Sequence, residues 1–66
     1  MSNLKDTREA KKISQKELSE RSGVSIRMIQ HYEQCVKDIN KAQAMTVYKL
    51  AESLNCAVWE ILEFDD

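Results

Sequence analysis

The chain contains a single glycine, Gly23, and no proline. Those two residue types supply most of the corners and rigid turns that a β-sandwich or barrel needs every few residues. With so few turn formers in 66 residues, a sheet has nowhere to reverse, and an all-α fold is the economical solution. Gly23 also has a definite place in it. Ser14-Gln15-Lys16-Glu17 predicts a capping box, in which the serine oxygen accepts from the N3 amide and the glutamate reaches back. Ile13 and Leu18 flank the box where a hydrophobic staple would sit. The helix begun there runs to Ser22 and stops at Gly23, which takes φ > 0 without a steric cost. Ser25 then caps a third helix through Gln34. Joined by Gly23-Val24-Ser25, the two form a helix-turn-helix, although an ordinary helical hairpin uses loops as short.

The rest of the chain divides in the same way. A first helix spans about Leu4 to Lys12, and its apolar face is thin because Thr7 stands where a large aliphatic would help. Cys35 to Ile39 has no periodicity and predicts a loop. Asn40 caps a fourth helix, with Gln43 at the capping-box position. Val47, Leu50, Ala51 and Leu54 follow at i, i+3, i+4 and i+7, a full core stripe. Asn55 ends that helix in the left-handed conformation. A short last helix covers about Val58 to Glu63, with Val58, Ile61 and Leu62 facing inward. The sum is a compact bundle of five short helices in one domain, residues 1–66. A chain of this size hides only about 60% of its surface on folding, so a deep substrate pocket of its own is not expected.

At 42% hydrophobic and 32% charged residues the composition is that of a globular domain. The longest apolar run is a few residues, too short for a membrane span. The start, Met1-Ser2-Asn3-Leu4-Lys5, lacks the pattern of a secretory signal. A cytoplasmic location follows, and Cys35 and Cys56 are expected as thiols. The net charge of −1 conceals a polarised distribution. Residues 1–41 hold nine Lys/Arg against six acids, whereas residues 42–66 hold Lys49 against five acids and end in Asp65-Asp66. The basic front would orient the molecule towards a polyanion.

A helix turns 100° per residue, so the faces of the third helix follow from arithmetic. With Ile29 core-facing, Arg27 and His31 lie about 160° away, Gln34 about 140°, and Met28 and Gln30 about 100° on either flank. Ile26, Tyr32 and Glu33 fall within about 60° of Ile29, on the buried side. The exposed face is therefore Arg27, Met28, Gln30, His31 and Gln34, polar and free of acids. Arginine grips guanine O6 and N7 with two bonds, glutamine pairs with adenine, and methionine covers a thymine methyl. A merely solvated face has the same look.

The stretch Ser14 to Ser25, continued by Ile29, Tyr32 and Glu33, Leu50 to Cys56 and Trp59 to Leu62, resembles the Cro and phage-repressor type of helix-turn-helix domain, the XRE family. Capping residues, turn glycine and core positions agree with it in order and spacing over essentially the whole chain. The resemblance implies a lambda-repressor-like, sequence-specific binder of double-stranded DNA. Such a domain acts as a transcriptional regulator, here a repressor, and usually as a dimer on a palindromic operator read in the major groove. It implies that Ile26, Arg27, Met28 and His31 occupy the base-reading positions. It implies that Gln15 touches phosphate and braces the recognition helix, and that Ser25, Gln30, Gln34 and Lys37 serve the DNA backbone. Arg8 and Glu33 match a pair that forms an internal salt bridge in this family, and Gly23 matches the turn glycine. The chain departs from the family at four places. Cys35 stands where glycine is frequent, which argues against a left-handed residue there. Ile26 replaces a polar reader, Ala57 replaces a helix cap, and Thr7 replaces a core leucine.

Other chemistry is weakly supplied. His31, Cys35 and Cys56 are three candidate ligands where structural zinc takes four, so neither a metal nor a cofactor is expected. Cys–His catalysis needs an activated thiolate, a third orienting group and a pocket, and an enzyme is not expected. No small-molecule ligand is evident. Trp59 either caps the core or, with Phe64 and Tyr48, forms a weak homodimer contact, since aromatics favour interface centres. Two functional readings stand: a DNA-binding regulator, or a protein-interaction module on a helix-turn-helix fold that has lost base reading. The apolar Ile26 and Met28 and the slightly negative charge favour the second.

Overall fold

Three of the four α-helices among the described residues start on a serine. The structure, a computed structural model, describes residues 2–64; Asp65 and Asp66 lie outside them. Helix α1 (Asn3–Ala10) begins on Ser2, whose Oγ accepts from the Lys5 amide at 3.1 Å. Helix α2 (Gln15–Ser22) begins on Ser14, which accepts from the Glu17 amide at 3.0 Å. The second half of the predicted box is absent, because the Glu17 carboxylate turns instead to Arg21, four residues on. Helix α3 (Ile26–Glu33) begins on Ser25, bonded to the Met28 amide at 3.2 Å.

Two elements differ from the sequence reading. Asn40 caps no α-helix. It lies inside a single 3₁₀ turn, Ile39–Lys41, whose cap is Asp38, and helix α4 (Ala44–Ser53) starts later, on Gln43, without a side-chain bond. The fifth predicted helix is likewise one 3₁₀ turn, Val58–Glu60. Glu60 accepts from the Ala57 amide at 2.7 Å, but the Ala57 methyl offers no oxygen in return, so only half a cap forms. The fold is thus four α-helices and two short turns, with no strand among the described residues.

All four helices end on a left-handed residue, and only one of them is glycine. Gly23 (φ 77°) donates to the Ser19 carbonyl in a single-bond ending. Lys12 (59°), Cys35 (60°) and Asn55 (54°) close α1, α3 and α4. In each, the left-handed residue and its successor donate back to carbonyls of the last turn, as Cys35 to Tyr32 and Val36 to His31. This is the doubly bonded Schellman ending. Cys35 therefore adopts the conformation its side chain argued against: the two recovered hydrogen bonds outweigh the Cβ crowding of about 1–2 kcal/mol.

The core is Leu4, Leu18, Ile29, Tyr32, Ile39, Val47, Leu50, Ala51, Leu54 and Ile61. Ile13 packs against it from the staple position, and Leu62 is half-buried, but Val58 is exposed rather than inward-facing. Helix α2 lies against both α3 and α4, while α1 packs on α3 and on the last turn. A polar clasp joins the two ends of the fold. Asn3 donates its amide to Glu63 Oε2 and its Nδ2 to the Leu62 carbonyl, both at 2.7 Å. The Asn40 side chain pairs with the backbone of Glu63 through both of its ends. Thr7, instead of leaving a gap, donates its hydroxyl to the Glu60 carbonyl at 3.5 Å.

Candidate nucleic-acid interface

The angle between α2 and α3 is set first at the turn. Ser19 donates its hydroxyl to the Val24 carbonyl at 2.7 Å, and Ser22 Oγ accepts from the Val24 amide at 3.1 Å. Two serines three apart just ahead of a lone glycine are a signal for this double latch that sequence reasoning overlooked. Leu18 and Ile29, both fully buried, lock the inner faces.

Behind α3 a buried polar network continues the support. The Glu33 carboxylate accepts from Arg8 Nε at 2.7 Å and Arg8 Nη2 at 3.0 Å, while Arg8 Nη1 donates to the Ile13 carbonyl at 2.8 Å. The hydrogen bond that Arg8 donates to Glu33 raises the Arg8 pKa above its ordinary value; burial opposes the shift, and the charges of Glu33 and Glu9 add to it. Gln15 Nε2 donates to the same Glu33 oxygen at 3.0 Å. An ionised carboxylate only accepts, so Gln15 must turn its NH₂ inward and its oxygen towards α3. That oxygen accepts from Gln30 Nε2 at 3.5 Å. One buried charge therefore orients two glutamines in series, and Gln30 keeps its own Oε1 free to accept.

The opposite edge of α3 is open. Ser25, Arg27, Gln34 and Lys37 are exposed. Ile26 is 40% exposed, against its placement on the buried side, because Val24 before it and Met28 and Ile29 after it take the core-facing positions. Met28 shifts the other way and packs half-buried against the core. Gln15, Gln30 and His31 are half-buried. A shallow groove beside α3 is lined in part by Met28, Lys37, Asp38, Lys41 and Gln43, so the stretch after the helix brings two cations and one carboxylate beside it. Lys37 is fixed there through its amide, which donates to the His31 carbonyl at 3.2 Å. Of the residues assigned from the sequence, Ser25, Ile26, Arg27, Gln34 and Lys37 stand exposed along α3 and the stretch after it, and Met28 and His31 are half-buried on the same helix. Gln15 and Gln30 join the network of Arg8 and Glu33 behind it, and Gly23 sits at the α2–α3 turn.

Cys35 and Cys56 form no disulfide, and among the described residues no cluster of His, Cys, Asp and Glu is placed to hold a metal. Burial, with the charge of Glu60, pushes the Cys56 thiol up and Lys11 only partly opposes it; a nucleophile needs the reverse. Trp59, at 66% exposure, does not cap the core. No helix among the described residues is long and apolar enough to cross a membrane. Compared with known families, residues 4–58 match the model of a helix-turn-helix family. No curated protein matches.

Proposed function

The chain belongs to the Cro and phage-repressor type of helix-turn-helix proteins, the XRE family of DNA-binding regulators, and from that premise we propose that it is a sequence-specific repressor reading the major groove with α3. Arg27 is the principal base reader, with Ile26, Met28 and His31 beside it. Gln15, Ser25, Gln30, Gln34 and Lys37 hold the phosphate backbone. The observation that carries this reading is the division of α3: Ile29, Tyr32 and Glu33 anchor one side in the core while Arg27 and Gln34 stand open on the other. A helix so fixed presents its outer edge in one orientation, which base recognition requires. The operator is a palindrome bound by two copies, since one module of this size covers only about 600–1,000 Å² of protein surface on DNA.

Selection from random duplexes followed by sequencing tests the reading. A short two-fold motif is expected, with affinity falling steeply in salt at a log–log slope near −0.9 per phosphate neutralised. The exposed Ile26 is what favours an interaction module instead. That module would yield no enriched motif and no duplex complex even at low salt.

A further inference from the structure

His31 is placed differently from the other residues on its edge of α3. The residue as a whole is only half-buried, yet its Nδ1 is enclosed and has no hydrogen-bond partner. The ring sits in the last turn of α3, where the chain folds back and the amides of Val36 and Lys37 donate to the His31 carbonyl. Those amides are thereby committed, and no neighbouring group reaches Nδ1.

A neutral imidazole carries one proton, on one of two nitrogens. A proton on Nδ1 would be a buried donor without an acceptor, the rarest kind of unpaired group in folded proteins. A bare lone pair at the same place is the lesser penalty. Building on the DNA-reading role proposed above, we infer that the fold holds His31 in the Nε2–H form, making it an obligate hydrogen-bond donor to the groove. The consequence for recognition is definite. Facing the major groove, Nε2–H pairs with purine N7, guanine O6 or thymine O4, and it rejects the amino groups of adenine and cytosine, which are themselves donors. Histidine in general accepts or donates; here the enclosure of one nitrogen removes that choice and makes His31 a specificity-determining residue rather than a neutral filler.

Two measurements test this. Long-range proton–nitrogen correlation on the free protein, with the ring neutral, should show a protonated Nε2 and a bare Nδ1. The reversed pattern, or an average of the two, overturns the inference without reference to DNA. On the selected duplex, His31→Gln sets an amide where Nε2 lies, and His31→Asn sets one where Nδ1 lies. The glutamine variant should bind within about twofold of the parent, and the asparagine variant should lose roughly five- to tenfold, the worth of one hydrogen bond. The asparagine loss should vanish on random duplex. Equal losses in both variants on the selected duplex overturn the donor role alone, and loss on all sequences alike shows a phosphate contact and overturns base reading by His31. A parent chain that binds no duplex at low salt overturns the DNA-reading role and this inference with it.

Discussion

At the scale of single residues, the four helix endings allow a comparison of opposite sign. Gly23 has open space where a Cβ would go, so Gly23→Ala meets no clash and only the cost of its φ of 77°. That cost is about 1–2 kcal/mol. Lys12 already bears it, and Lys12→Gly should relieve about 1 kcal/mol. Thermal unfolding should then show Lys12→Gly rising and Gly23→Ala falling, each by several degrees, given roughly 4–8 °C per kcal/mol in a domain this small. Equal signs for the two would contradict the strain argument. Arg27 and Lys37 are the second residue-scale pair. Both are exposed cations, but the proposed function separates them. Arg27→Ala should cost about 1–3 kcal/mol on the selected site and relax preference at one base position, while Lys37→Ala should weaken all sequences alike and lower the salt slope by about one unit. If Arg27→Ala affects selected and random duplexes equally, with helicity unchanged, Arg27 touches phosphate and reads no base.

At the scale of elements, the bond between α1 and α3 is an ion pair with little access to water: the Glu33 side chain is 3% exposed and that of Arg8 11%. Removing one partner strands the other charge. Arg8→Met should therefore destabilise by about 3–5 kcal/mol in urea unfolding, and the double change Arg8→Met with Glu33→Leu should recover much of the loss. A double variant no more stable than the single one would show that the bonds of the network, including those to Ile13 and Gln15, rather than the stranded charge, are what matter. The elements also show what a sequence discloses. Ser14, Ser25, Gly23 and Asn55 act on amides and carbonyls within a few residues, so their signals survive in any short window. Asn40 looks equally like a cap, yet its partner is Glu63, 23 positions away. Nothing local records that choice. The same holds for Thr7, whose partner is in the last turn, and for Ile26, whose exposure depends on which of its neighbours take the core-facing positions. Glu33 is legible as inward-facing from its angle on the helix. That Gln15 would share its oxygen is a matter of how α2 and α3 cross.

At the scale of the whole molecule, the second half presents a face unlike the first. Tyr48 and Trp59 are 50% and 66% exposed, beside Glu52 and Glu60; Tyr48 donates its hydroxyl to Glu52 at 2.8 Å, which raises its pKa. If this face makes the proposed dimer, Trp59 emission should shift to the blue as concentration rises, and sedimentation should show a weak dimer completed on the operator. A strict monomer that binds a half-site at full affinity would remove the dimer from the account. The clasp between Asn3 and the stretch around Glu63 has a further consequence, in the order of events by which the chain acquires its shape. Its bonds join residues 59 and 60 positions apart, whereas the latch of the α2–α3 turn spans five. Closing the long loop costs more chain entropy and is repaid only once the helices between are docked. The clasp is therefore the last contact to form and the first to open, and in native-state hydrogen exchange the Asn3 and Glu63 amides should exchange together, well ahead of Ile29 and Leu50.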